Sequence, residues 1–349
     1  MNKKVRIQDI ADALGISRNT VSKAINNSEG LADETREKIL QKAIEMGYKQ
    51  FSYVRNIAEL AMPQAANEDG SYAEFKGEIA LFTTIFINPS HFATLLLDRF
   101  QRELLQLGYT LNTHRVDIDN LKNKTLPITF SKERARAIIC FEMFDWEYDE
   151  MLCTLGLPTL FVDGPCRIFG KTLPSDQLLM DNTAGISKLI MDMLQAGKNR
   201  IGFIGNYEHC ESFFERYLAF HGTMTLNNEP VNKEWIIKEN HKEMMIEPFR
   251  NMKELPDLFI CANDFVAIDA MQVLRNMGKS IPQDVMIAGF DDSVDSRLVE
   301  PQLTTVHIHS QIMAYSATQL LISRIEEPTL DYRTVYTETE LIYRKSASL

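Results

Sequence analysis

From Gly77 onward the chain repeats one texture: a short apolar run, then an amphipathic stretch of several turns, often closed by a glycine. Apolar runs at Glu78–Ile85, Thr110–Val116, Ala135–Phe141, Thr159–Val162, Arg200–Gly205, Asp257–Ala262 and Val285–Phe290 read as strands. Helical periodicity occupies Phe92–Leu107, Thr183–Ala196, Ser212–Leu226 and Phe265–Met277, with Gly108, Gly197 and Gly278 at three of the helix ends. Strands apolar on both faces, alternating with long helices, specify parallel sheets covered on both sides, because a crossover helix is what returns the chain to start a parallel neighbour. Such sheets receive ligands outside the carboxyl ends of their strands. The polar residues that directly follow strands therefore matter most: Asp163, Asn263-Asp264 and Asp291-Asp292.

The first 48 residues have a different pattern. Ile7, Ile10, Ala11 and Leu14 lie on one helical face, Gly15 can take the positive φ that ends that helix, and Ile16 plugs the turn. Ser17 stands where an N-cap belongs, and Val21, Ala24 and Ile25 give a second helix its apolar face. Arg18, Asn19, Ser22, Lys23 and Asn26 are left for the outer face, which carries no acid. A helix-turn-helix with a donor-rich outer face points to double-stranded DNA as partner. Asp33 can cap a third helix with Ile39, Leu40, Ala43 and Ile44 as its core face, closed by Gly47. A weakly amphipathic stretch, Tyr48–Leu60, leads into a Pro/Gly-containing linker at 61–70.

The net charge of −11 does not conflict with a DNA partner, because it is unevenly placed. Residues 1–60 hold ten Lys/Arg against eight Asp/Glu, so −13 falls on the remainder. Phosphate neutralisation is local, so an acidic large domain simply stays off the duplex. The small basic surplus makes a single copy a weak binder and favours a dimer. No apolar leader or membrane-spanning run is present, which leads us to expect a cytoplasmic protein. Five scattered cysteines without a CxxC pair suit buried thiols in a reducing compartment, and the histidines show no metal spacing. No metal or other cofactor is expected. A Gly-x-Ser-x-Gly elbow, a Walker loop and a dinucleotide fingerprint are all missing, which argues against an enzyme. The DNA-binding head and the missing leader argue against a transporter-type solute-binding protein.

Ordered motifs along nearly the whole chain resemble the LacI/GalR family of transcriptional regulators. In the head they are Ile7-Gln-Asp-Ile-Ala, Gly15-Ile-Ser, Thr20-Val-Ser-Lys-Ala-Ile-Asn, Glu34-Thr-Arg-Glu-Lys-Ile and Gly47-Tyr48. In the core they are Arg200-Ile-Gly-Phe-Ile-Gly, Glu215-Arg216, Ala262-Asn-Asp, Gly289-Phe-Asp-Asp-Ser, Pro301-Gln-Leu-Thr-Thr-Val and Glu340-Leu-Ile-Tyr-Arg. The resemblance implies an all-α, lambda-repressor-like head at 1–48, a hinge helix and linker at 49–76, and an α/β two-lobed periplasmic-binding-protein-like core at 77–349. It places three crossings between lobes near Ser175, Val306 and Asp331. One lobe then comprises about 77–174 and 307–331, the other about 175–306 and 332–349.

The same resemblance assigns residues. Arg18 and Asn19 occupy the base-reading positions, where Arg matches guanine and Asn matches adenine with two bonds each. Lys23 stands where the family usually has Arg, keeping the charge without the fork. Ser17, Thr20, Ser22 and Asn26 serve as caps and phosphate contacts. Val54, Arg55 and Ile57 fall in the hinge helix, with Ile57 as the minor-groove wedge, although Gln50 and Phe51 replace the usual Pro-Asn. The effector cleft is carried by Asp163, Arg216, Asn263 and Asp291, with His91 and Phe92 at its first loop. Helix capping also fits Asn263 and Asp291, and a structural ion pair also fits Arg216. Two acids, an arginine and an amide suit a polyhydroxylated small-molecule effector, a carbohydrate, in a homodimeric repressor. A nucleobase or a partner protein is the alternative. The Tyr-Glu-His segment at 207–209 and the region of Trp146 depart from the family pattern and leave the effector's identity open.

Overall fold

The computed structural model describes residues 7–25, 35, 38, 39, 42, 46, 74–85, 92–167 and 170–348, and the chain divides into two compact units, Met1–Ala73 and Glu74–Leu349. The first unit opens with α1 (Ile7–Leu14) and α2 (Arg18–Ile25). Ile10, Ala11, Val21 and Ala24 are buried with Ile39, and Ile7, Leu14, Ile16 and Met46 pack around them. These include the apolar positions expected of a helix-turn-helix core. Gly15 has φ +64°, and a Cβ at this position would meet nothing within 4 Å, so the turn demands its backbone conformation rather than its small size.

The second unit contains two parallel sheets. Six strands, β1 (Gly77–Thr83), β2 (Tyr109–Arg115), β3 (Ala135–Phe141), β4 (Thr159–Val162), β5 (Asp176–Met180) and β11 (Thr334–Thr337), form one sheet in the order β11-β5-β4-β3-β1-β2. Four strands, β6 (Ile201–Ile204), β7 (Ile236–Ile237), β8 (Leu258–Cys261) and β9 (Met286–Ala288), form the other in the order β7-β6-β8-β9. An antiparallel pair, β10 (Thr305–Ile308) and β12 (Thr339–Ile342), forms a third, small sheet.

The helices are α3 (Phe92–Gln106), α4 (Ile118–Asn123), α5 (Trp146–Cys153), α6 (Ala184–Gln195), α7 (Glu211–Leu226), α8 (Lys242–Asn251), α9 (Asp264–Asn276), α10 (Val294–Leu298) and α11 (Ser310–Glu326). Among the described residues none is long and apolar enough to cross a membrane. One apolar cluster is continuous across the unit, running from Ile79, Leu96 and Phe100 through Leu320 and Leu321 of α11 to Ile201, Phe203 and Phe220. Two further clusters cover the remaining sheet faces, one around Phe82, Phe161 and Tyr148, the other around Phe259, Ile287 and Leu274.

The lobe boundaries differ from those expected. β5 pairs with β4 and β11 pairs with β5, so residues 176–180 and 334–337 belong to the six-stranded lobe. The first crossing therefore follows Met180 rather than Ser175, and the third follows Thr337 rather than Asp331. The physical reason is electrostatic as well as topological. Asp176, at the start of β5, is buried and takes Nε and Nη2 of Arg324 on α11, each at 2.9 Å, along with the backbone N–H of Arg333 at 2.8 Å. That network ties β5, α11 and the approach to β11 into one lobe. The expected middle crossing, Val306, lies within β10, where the Asp291 N–H donates to its carbonyl at 2.9 Å.

Candidate functional site

Two regions carry the residues singled out from the sequence. In the head, the Thr20 N–H donates to Ser17 Oγ at 3.0 Å, and the two hydroxyls lie 2.7 Å apart. Ser17 is thus the N-cap of α2, as its position predicted, and Thr20 closes the cap from within the first turn. Arg18, Asn19 and Lys23 are exposed and Ser22 is half-buried. Asn26, Val54, Arg55 and Ile57 lie outside the described residues, as does His91.

In the core, Arg216 on α7 is 2% exposed, and an arginine that deep needs partners for its guanidinium. Its guanidinium carbon lies over the Phe290 ring, 3.6 Å from the centroid. Its Nε donates to Asn182 Oδ1 at 2.9 Å, and its Nη1 donates to the Ala262 carbonyl at 2.7 Å. Asp291 Oδ1 stands 3.7 Å from the same Nη1. Asn182 follows β5, Ala262 follows β8 and Asp291 follows β9. The carboxyl ends of both sheets thus converge on one buried arginine.

Asp163 follows β4 in a left-handed conformation, φ +56°. Its Oδ1 accepts the N–H of Gly164 at 2.9 Å and that of Ser212 at 3.1 Å, while the Glu211 N–H donates to the Gly164 carbonyl at 3.0 Å. The six-stranded lobe therefore clasps the N-terminus of α7, whose exposed amides favour an acceptor. Burial pushes the Asp163 carboxyl above its usual pKa, and the Gly164 bond and the Arg216 charge only partly offset this. Asp291, with φ +116°, is 7% exposed. Asn263 caps α9, its Oδ1 accepting the Val266 N–H at 2.9 Å, so the capping role weighed for it is real. Phe92 opens α3, half-buried against the main core.

Several residues of this region were not singled out in the sequence. Asn182 Nδ2 donates to Glu215 Oε2 at 2.7 Å, and Tyr336 Oη donates to Glu215 Oε1 at 2.6 Å. Arg167 reaches Glu211 with its backbone N–H at 2.7 Å and its Nε at 3.0 Å. The two segments that depart from the family pattern come together here. The rings of Phe144 and His209 meet edge to face at 4.9 Å, with Phe213 5.4 Å beyond His209. The protein mass around His209 lowers its pKa. Behind the site, Asp264 accepts Thr305 Oγ1 at 2.6 Å and the Ser293 N–H at 2.7 Å, and burial beside Asp291 raises its pKa. Asp292, the other acid of the pair, is bound by Arg344, by Arg297 at 2.5 Å and by His307 at 3.0 Å. Burial opposes its charge, but those partners prevail and hold its pKa far below the carboxylate range. Asp292 is thus a structural anion rather than a ligand acceptor. Asn182 lies just past β5, a strand that the apolar pattern left unread, so nothing marked it as a strand-end residue.

Residues 6–50 match the family model described as bacterial regulatory proteins, lacI family, and residues 191–347 match that of the periplasmic binding protein-like domain. The chain thus joins a lacI-family head to a periplasmic-binding-protein-like core. The HTH-type transcriptional repressor PurR of Mannheimia succiniciproducens is 25% identical over 97% of this chain and 98% of its own length. A probable HTH-type transcriptional repressor, ExuR of Bacillus subtilis, is 27% identical over 98% of both chains. Among solved structures, the complex of the transcriptional regulator CelR with cellobiose shares the fold at a TM-score of 0.65 and 19% identity, over 98% of this chain and 100% of that one. These two matches make the protein a DNA-binding transcriptional regulator with a ligand-binding core, and not an enzyme. The helix-turn-helix head and the periplasmic-binding-protein-like core are those the sequence led us to expect.

Proposed function

We propose that the protein is a cytoplasmic, homodimeric repressor whose operator affinity is set by a neutral, polyhydroxylated ligand, a sugar or sugar derivative, bound between the two lobes. The observation that carries this reading is the convergence on Arg216. An arginine facing Asp291, with Asp163 nearby, offers hydroxyl-matching donors and acceptors without a large surplus of positive charge. Phe290 and Phe213 flank the guanidinium and hold it in place from the core side. The cellobiose-bound neighbour of the same fold agrees with the ligand class. On DNA, Arg18 and Asn19 read base edges, Lys23 reads less selectively, and Ser22 and Asn26 contact phosphate. Ser17 and Thr20 stiffen the start of the reading helix. Ile57 is the minor-groove wedge, with Val54 and Arg55 just before it in the hinge helix. A ligand that prefers one lobe angle shifts the operator-bound population by its differential affinity.

The aromatic run Phe144, His209 and Phe213 favours one second reading, a flat nucleobase as effector. Titration calorimetry against neutral sugars, sugar acids, sugar phosphates and purines separates the two, with Arg216→Lys as the control. The sugar reading expects a neutral sugar to bind the parent protein and to bind Arg216→Lys at least tenfold more weakly. A purine that binds where every sugar fails replaces it with the second reading.

A further inference from the structure

Arg216 is held by Asn182, and Asn182 is itself held. Its Nδ2 donates to Glu215 Oε2 at 2.7 Å, while its Oδ1 accepts Arg216 Nε at 2.9 Å. Because one end of the amide faces a carboxylate and the other an N–H, the amide has a single satisfactory orientation. Glu215 is anchored in turn by Tyr336 Oη at 2.6 Å. The four side chains form an unbroken line, Tyr336–Glu215–Asn182–Arg216. They come from three parts of the fold: β11, at the edge of the six-stranded sheet just before the last crossing, α7, and the turn after β5.

Two features make this line more than incidental packing. Glu215 and Arg216 are adjacent on α7, so they lie about 100° apart around the helix and cannot both face the same way. The helix therefore presents the arginine toward the cleft and the acid toward β11, with Asn182 bridging the two. Secondly, the line crosses between lobes. Tyr336 belongs to the six-stranded lobe by β11, Asn182 lies in the first crossing just past β5, and Glu215 and Arg216 belong to α7, which leads out of the four-stranded lobe's β6. A change of lobe angle must break or lengthen a bond in it.

We infer that Glu215 and Tyr336 are positioning residues of the effector site, fixing the Asn182 amide and through it the orientation of the Arg216 guanidinium in the closed arrangement of the lobes. They touch no ligand. They register lobe closure at the crossing between β11 and β12 and convert it into a preset arginine. The inference rests on the reading of Arg216 as an effector-binding residue, but the geometry of the line can be tested without any effector.

The experiment uses the full-length protein labelled with 15N-arginine. The Arg216 Nε–H, buried and bonded to Asn182, should give a slowly exchanging resonance, assigned by its loss in Arg216→Lys. Glu215→Leu should speed its exchange at least tenfold, and Tyr336→Phe should act in the same direction. Glu215→Gln keeps an oxygen for Asn182 and should preserve slow exchange, a rescue that a merely space-filling role would not require. Thermal unfolding of each variant separates loss of fold from loss of orientation. Calorimetry with cellobiose as the probe follows: binding by the parent and about tenfold weaker binding by Glu215→Leu, with Glu215→Gln restored, supports the positioning role. Unchanged Nε–H exchange in both Glu215→Leu and Tyr336→Phe overturns it. If exchange responds as expected while no sugar binds even the parent protein, the line stands and the sugar reading of the cleft falls.

Discussion

Asp149 lies in α5 with no measurable exposure, and neither carboxylate oxygen has a hydrogen-bond partner. Burial, aided by the charge of Asp145, raises its pKa from 3.8 to about 8. Here the folded state holds a proton that the unfolded chain releases, so the sign is opposite to that of a salt-bridged aspartate. Below about pH 4 the residue is neutral in both states and has no effect. Between about pH 4 and 8 the unfolded chain ionises while the fold cannot, and stability falls with rising pH; above that range the penalty is constant. At about 1.4 kcal/mol per pKa unit, the penalty grows by roughly 4 kcal/mol between pH 5 and pH 8. Asp149→Asn keeps the shape and removes the titration. Its stability relative to the parent should therefore rise by that amount over the same interval, a shift of the urea midpoint by roughly 2 M for a slope near 2 kcal/mol per M. The assay is urea unfolding followed by Trp146 fluorescence in a Trp235→Phe background, since Trp146 packs at the same apolar cluster. An offset between variant and parent that stays constant from pH 5 to pH 8 would refute the reasoning, for it would mean that Asp149 is already ionised in the fold.

Asp176 makes the contrasting case. Burial alone would raise its pKa, but the bonds from Arg324 and Arg333 outweigh that and lower it, so its contribution is complete at neutral pH and is lost on acidification below about pH 4. Asp176→Asn strands Arg324 in the interior and should destabilise the core by about 3–5 kcal/mol at pH 7, read from denaturant midpoints. A loss under 1 kcal/mol would show that water reaches the pair. In the head, Arg18→Ala and Asn19→Ala should each weaken binding to a selected operator by about 1–3 kcal/mol and relax the preference at one base pair, measured by anisotropy on a substitution series. Uniform weakening on every sequence would reassign them to phosphate. Ile57→Ala should reduce specific affinity far more than non-specific affinity, and equal losses on both DNAs would remove the wedge.

The sequence exposed the parallel-sheet architecture because strands buried on both faces need apolar runs, as in Ile79–Phe82 of β1, Ala137–Phe141 of β3 and all of β8. It concealed β11 and β12 because edge and crossing strands alternate exposed polar residues such as Thr334 and Glu340 with half-buried ones, and nothing local marks them as strands. β5 escaped for another reason: Asp176 and Gln177 break its apolar run, and only the structure shows Arg324, 148 positions away, meeting that buried acid. Helix α11 carried a readable period through Met313, Ala314, Ala317, Leu320 and Leu321, yet no strand candidate follows it to complete a unit. In the site, Arg216, Asp163 and Asp291 could be anticipated from motifs and strand ends. Glu215 stood in a motif as the neighbour of Arg216, but its role and those of Asn182 and Tyr336 could not be anticipated, because they lie in contacts between segments up to 121 residues apart, not in any spacing along the chain.

The late position of β11 also has consequences during synthesis. The ribosome delivers β5 long before residues 334–337, so the nascent six-stranded lobe waits with an open sheet edge and with Asp176 lacking Arg324. Helix α11, which covers α3 in the finished lobe, is likewise among the last segments to emerge. The head, whose described apolar core spans only Ile7 to Met46, can close early, while the core holds an unpaired edge until residues 334–337 are out of the exit tunnel. Chaperone dependence of this protein should thus persist until residues 334–337 have emerged, and a chain stopped before Thr337 should leave both lobes unfinished rather than one.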